Sequence, residues 1–194
     1  MFPDIHVRLP GWVSVFCEEW KSPFATPEDR ARFVIALASA NVDHGTGGPF
    51  AAAVFDCDRK TLVSPGVNLV VSASCSSAHA EIVAITIAQQ IMGTHDLGAE
   101  GLSPLELVSS TEPCAMCMGA VPWSGVSRLV CAARGEDAVA IGFDEGAKPP
   151  LWQDALKERG ITVVRDVCRD EAAAVLQGYA ARGGVIYNGR STSS

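Results

Sequence analysis

Apolar residues recur every three or four positions through residues 10–21. Val13, Phe16, Cys17 and Trp20 fall on one side, behind Pro10-Gly11, and the spacing predicts a short amphipathic helix. Thr26-Pro27-Glu28-Asp29 follows: a hydroxyl N-cap, proline at the first helical position and acids in the first turn. It predicts a second helix running to about Val42 and stopping near His44-Gly45. The pattern then becomes strand-like. Residues 50–55 and 61–70 are apolar runs separated by the polar stretch Asp56-Cys57-Asp58-Arg59-Lys60, which predicts a hairpin, with a bulge or break at Pro65-Gly66. Residues 78–92 return to helical spacing. Ala80, Val83, Ala84, Ile87, Ala88 and Ile91 form one stripe, and Ile82 and Ile85 make the opposite face apolar too, as expected for a helix packed on two sides. Strands at 105–110, 126–132 and 161–165 alternate with helices at 114–123, 150–159 and 170–181. A strand–helix–strand succession implies a parallel pair joined by a crossover. The elements together predict an α/β fold, a three-layer α/β/α sandwich around a mixed five-stranded sheet.

A chain of 194 residues fits one domain and can bury roughly 70% of its unfolded surface without disulfides. Apolar content of 48% and charged content of 19% are those of an ordinary globule. No apolar run approaches the roughly 20 residues of a membrane span. Asp4 and His6 stand where a secretory signal would place basic residues, so a cytoplasmic protein with no membrane association is expected. Seven cysteines, an odd number without small-scaffold spacing, predict reduced thiols. The net charge of −7, from 15 basic and 22 acidic residues, disfavours a nucleic-acid partner and favours a small neutral ligand.

Two motifs carry the chemistry. His79-Ala80-Glu81 is followed by Pro113-Cys114-Ala115-Met116-Cys117. Cys114 and Cys117 share a face of a helix and sit in its first turn, where the helix dipole and free N–H groups favour thiolate. With His79 they supply three ligands for one Zn2+ per subunit and leave a fourth position for water. Glu81 lies two residues after His79, placed to shuttle protons and not to ligate. The remaining histidines, His6, His44 and His95, have no ligand spacing, so a closed structural zinc site lacks its fourth donor. A CxxC redox pair would not require His-Ala-Glu.

The order H-x-E…P-C-x-x-C resembles the signature of the zinc-dependent base deaminases. Over roughly residues 27–165 the chain is similar to the cytidine-deaminase-like zinc hydrolases, which implies a cytidine-deaminase-like fold. The single domain, residues 1–194, would then have a core at about 27–165, an N-terminal helical extension (1–26) and a C-terminal helix and tail (166–194). Within that superfamily the finer resemblance is to guanine deaminases. It is carried by Gly48-Pro49-Phe50-Ala51-Ala52, Asn68, His79-Ala80-Glu81, Glu112 to Ala120, Trp123 and Gly142-Phe143-Asp144-Glu145. The resemblance implies that Phe50 stacks on the base, Asn68 hydrogen-bonds it, Glu145 touches the guanine edge and Tyr187 closes the pocket. Ala80, Trp123 and Asp144 join the substrate-binding set, and which of Asp144 and Glu145 faces the base stays open. It also implies a homodimer in which the terminal segment can be exchanged between subunits. This chain is longer at both ends than the compact members.

Guanine presents N1–H and the 2-amino group side by side, and a carboxylate accepts both, whereas an amide cannot. The expected reaction is hydrolysis of guanine to xanthine and ammonia, with Glu81 and Glu145 as the catalytic acids and bases. Aminotriazines with a similar donor edge, such as ammeline, are candidate further substrates. The rivals are a tRNA adenosine deaminase, a free cytosine, cytidine, pterin or triazine deaminase, and a catalytically inactive zinc-stabilised interaction domain. A tRNA substrate would need a basic surface, and an inactive domain would have no need of Glu81.

Overall fold

The computed structural model describes residues 6–189. Asp4 and the last residues of the tail, Arg190 to Ser194, lie outside this range. The elements run in the order α1 (Gly11–Glu19), α2 (Pro27–Asp43), β1 (Ala51–Asp56), β2 (Thr61–Val67), α3 (Ala80–Met92), β3 (Leu105–Thr111), α4 (Ala115–Ser124), β4 (Arg128–Ala133), α5 (Gly135–Ala140), α6 (Trp152–Lys157), β5 (Thr162–Val164) and α7 (Arg169–Ala181). The strands form one sheet in the order β2-β1-β3-β4-β5. β1 pairs antiparallel with both β2 and β3, and β3, β4 and β5 are mutually parallel, so the sheet is mixed as expected.

Alternation along β1 divides the core. Ala51, Ala53 and Phe55 face one side with Phe33, Val34 and Leu37 of α2 and Val13 of α1. Ala52 and Val54 face the other, with Ala84 and Ala88 of α3, Val121 of α4 and Trp152 and Leu156 of α6. Helices therefore cover both faces, which is the three-layer sandwich. Phe16, Cys17 and Trp20 of α1 pack on the first core beside Val13, as their spacing required. Among the described residues no helix is long and apolar enough to cross a membrane. All seven cysteines are free thiols.

Local chemistry explains most boundaries. The Thr26 hydroxyl accepts the Asp29 N–H at 3.1 Å, and the Asp29 carboxylate accepts the Thr26 N–H at 2.9 Å, so α2 begins with a reciprocal cap. Gly93 and Gly125 end α3 and α4 in the left-handed region. The hairpin forms, but its irregularity sits between Val54 and Phe55, whose partners are Ser64 and Leu62, so Val63 is the extra residue. Pro65 stays in register opposite Ala53, tolerated because β2 is an edge strand. Gly66 serves close packing: a Cβ there would lie 2.3 Å from the Ala80 carbonyl oxygen, so α3 can press directly onto β2. β2 ends at Val67, three residues earlier than its apolar run predicts, because the chain turns at Asn68, whose Oδ1 accepts the Val70 N–H at 3.3 Å. Ile91 departs from its predicted stripe and is exposed in the last turn of α3. α5 opens on Gly135, a poor helix former, and the sequence pattern predicts no helix there.

Candidate active site

Two helix starts meet at the carboxyl end of the central strands. His79 is the N-cap of α3, and Cys114 is the N-cap of α4. Cys117 lies one turn into α4 and is fully buried. The ligand atoms of His79, Cys114 and Cys117 all lie within 4.8 Å of one another, and His79 Nδ1 is 3.5 Å from Cys114 Sγ. A tetrahedral ion with bonds of about 2.0–2.3 Å spans ligand atoms about 3.3–3.8 Å apart, so one imidazole and two sulfurs in this arrangement fit zinc. The two sulfurs are hydrogen-bonded to each other. The hydrogen bond from Cys117, aided by His79, holds Cys114 down at about 4 against the effect of burial. The same hydrogen bond, together with burial, pushes Cys117 well up. A divalent cation would displace the Cys117 proton.

Glu81, in the first turn of α3, is buried and lies beside this group, 3.5 Å from the Ser109 hydroxyl. Burial, reinforced by the charge of Cys114, raises its pKa. A carboxyl group that holds a proton more readily than usual is suited to moving one.

His79, Glu81 and Cys114 form one wall of a cavity of about 470 Å³. A second part of the lining gathers residues from distant parts of the chain: Phe50, Asn68, Phe143, Asp144, Glu145 and Tyr187. Phe50 and Phe143 meet edge to face at 4.9 Å, and Tyr187 packs on Phe143 at 5.4 Å. Asn68 is buried. With its oxygen committed to the Val70 N–H, it has its amide hydrogens left to donate, and it lies in hydrogen-bonding contact with Tyr187. The loop carrying Asn68 is clamped from beneath by the buried Asn41 of α2. Asn41 Nδ2 donates to the carbonyls of Gly48 and Asn68 at 2.9 and 3.0 Å, while its Oδ1 accepts the Thr46 hydroxyl at 2.6 Å. Trp12 Nε1 of α1 donates in turn to Thr46 at 3.2 Å.

The two adjacent acids differ. Asp144 is exposed, and its Oδ1 accepts the Gly146 N–H at 2.8 Å, which uses the side chain to shape its own turn. The Glu145 side chain is turned inward and paired with Lys148 at 3.3 Å. Burial drives its pKa up to about 7, with Lys148 opposing and the charges of Cys114 and Glu81 assisting.

Of the substrate-binding set expected from the sequence, two members fall outside the cavity. Trp123 is 81% exposed at the far end of α4 and is not among the residues that line the cavity of this chain. Ala80 is buried with its side chain in the core shared by α3 and the sheet, and it does not line the cavity. Lining residues that sequence reasoning passed over include Ser76, Thr111 and Asn188. Glu112 adjoins the motif, but only the fold shows that its oxygens accept the Gly135 N–H and pair with Arg165.

A mixed sheet, two helix N-termini offering sulfur and nitrogen ligands, and a buried carboxylate in the cavity beside them define a zinc-dependent aminohydrolase of the deaminase type. Residues 27–133, more than half of the chain, match the family described as the cytidine and deoxycytidylate deaminase zinc-binding region, and the protein belongs to that family. The chain is similar to the guanine deaminase of Nitrosomonas europaea, with 49% identity, a TM-score of 0.87, and 93% of this chain and 98% of that one covered. It is similar as well to NE0047 in complex with 2,6-diaminopurine, with 51% identity, a TM-score of 0.87, and 94% and 96% of the two chains covered. A mutant of NE0047 in complex with 8-azaguanine shows 49% identity and a TM-score of 0.88, covering 94% and 98%. The guanine deaminase of Bacillus subtilis (strain 168) is 34% identical over 111 residues, 57% of this chain and 67% of that protein.

Proposed function

We propose that this protein hydrolyses guanine to xanthine and ammonia, with His79, Cys114 and Cys117 holding one zinc ion. The observation that carries the reading is Glu145, an inward-facing carboxylate lining the same cavity as Glu81, in a chain whose similar solved structures include guanine deaminase. Zinc held there supplies a Lewis acid that makes water a competent nucleophile near neutral pH. Glu81 takes one proton of the attacking water and delivers it to ring N3, then takes the second from the hydroxyl now on C2 and passes it to the amine, which leaves as ammonia while C2=O forms. Glu145 accepts N1–H and the 2-amino group together, which selects guanine over adenine, whose edge pairs an acceptor with a donor. It then assists Glu81 in proton delivery. Asn68 donates an amide hydrogen to the base, Phe50 stacks on it, and Tyr187 covers it. Asp144 shapes the loop and leaves the reading of the base to Glu145.

Ammeline, with a similar donor edge, would be a slower second substrate. The protein is proposed to act in the cytoplasm, where seven free thiols stay reduced. It is also proposed to form a homodimer, and the exposed Trp123 and Met116 on α4 offer an apolar face for a second copy. Tyr187 lies in the cavity of its own chain, and exchange of the terminal segment in a dimer would supply the same side chain from the partner. The test is ammonia release from guanine, adenine, cytosine, guanosine and ammeline by zinc-replete protein. Guanine should lead, with ammeline second. Comparable release from adenine or cytosine would replace this reading.

A further inference from the structure

Behind the cavity lining, paired with Glu145, lies a cation that the mechanism above does not use. Lys148 lies three residues after Glu145, and its side chain is 15% exposed. Its Nζ is 3.3 Å from Glu145 Oε2 and donates to the Pro113 carbonyl at 3.2 Å. Pro113 immediately precedes Cys114, so a single ammonium ties the loop bearing the inward carboxylate to the start of the helix bearing both sulfurs. The Ala115 N–H donates to the Glu145 carbonyl at 2.9 Å, a second tie between the same two segments.

The floor under this cation is built to receive it. Gly135 opens α5, and a Cβ added there would lie 2.5 Å from Lys148 Nζ. The Gly135 N–H is itself fixed by Glu112 Oε2 at 3.1 Å, and Glu112 is paired with Arg165. Withdrawing an ammonium from water costs free energy unless partners replace the water. Here the partners are a carboxylate and a carbonyl from two different segments of the site. A glutamate side chain has three rotatable bonds and must be held to present its acceptors in one plane. Lys148 occupies one lone pair of Oε2, leaving the other lone pair and Oε1 for two donors.

We propose that Lys148 is a positioning residue for the deamination, clasping Glu145 to the Cys114 segment so that its carboxylate meets the purine edge in a single orientation. This rests on Glu145 being the edge reader. Steady-state guanine kinetics, zinc content and melting temperature of Lys148→Met, Gly135→Ala, Glu145→Ala and the Lys148→Met/Glu145→Ala double variant test it. Lys148→Met should lower kcat/KM about 10- to 100-fold, the loss expected for one charge-assisted hydrogen bond, mostly through KM and with zinc retained. In the Glu145→Ala background the same substitution should cost less than about 2-fold, because the partner it orients is gone. Gly135→Ala should move kcat/KM in the same direction without removing the charge, since the new methyl displaces the flexible ammonium end and leaves the backbone in place. It also keeps the test open should Lys148→Met fold poorly. Wild-type kinetics in Lys148→Met alongside a defective Glu145→Ala would overturn the clasp alone. So would a loss from Lys148→Met that persists undiminished without Glu145. Unchanged kinetics in Glu145→Ala would instead remove the edge-reading role, and the clasp with it.

Discussion

The two walls of the cavity are anchored differently. His79, Glu81, Cys114 and Cys117 stand in the first turns of α3 and α4, whose bodies are packed into the core below. Phe50, Asn68, Glu145 and Tyr187 come from three loops and the chain terminus, and they are held by side-chain clamps such as Asn41 and Lys148. Groups that must meet within fractions of an ångström sit on rigid elements, while groups that recognise the ligand sit where the chain can be altered without disturbing the core. A substitution on the first wall should therefore abolish the reaction for every substrate, and one on the second should change which substrate is preferred.

The largest expected effect is on the first wall. Glu81→Gln should retain zinc, measured by metal analysis, yet lose at least about 10⁴-fold in turnover with both guanine and ammeline. Near-normal turnover in that zinc-replete variant would remove Glu81 as the proton carrier. The second wall sets a pH dependence. Glu145 must be ionised to accept two donors, so guanine kcat/KM should fall about tenfold per unit as pH drops below about 7. Glu145→Gln should have lower activity and should lose that acid limb. Folding raises this pKa from 4.5 to about 7, so the folded chain binds more protons than the unfolded chain across that window. Stability contributed by the protonated group is therefore lost as pH rises through 7, and thermal unfolding should show Glu145→Gln gaining more at pH 8 than at pH 5. The smallest effect belongs to neither wall. Trp123→Ala should change guanine kcat/KM by less than about 2-fold, and a tenfold loss would return that residue to the substrate set.

The same contrast explains what could be read from the sequence. Helical period, the Thr26 cap and the HAE and PCAMC spacing are local signals, and they placed α2, α3, α4 and the first wall. The second wall was legible only through resemblance, because no local period links Phe50, Asn68, Glu145 and Tyr187. Resemblance placed these four in the cavity, whereas Trp123 stands exposed outside it, since a motif position carries no information about which way a helix face looks. Lys148 lay beyond both kinds of reading. A lone lysine in Gly-Ala-Lys-Pro-Pro looks like a solvated loop residue until Gly135 and Pro113 are brought against it. α5 escaped because it opens on Gly135, a poor helix former, and its apolar residues Ala138, Val139 and Ala140 are consecutive and not at helical spacing.

The outer strands have a consequence for how copies of this chain can associate. Pro65 removes a backbone donor from the middle of β2, the extra residue Val63 bends that strand, and β5 at the opposite margin offers only three residues. Neither border of the sheet can template a continuous intermolecular ladder. Any assembly of copies would then use side-chain faces, and such edges disfavour the strand-by-strand growth that leads to fibrils.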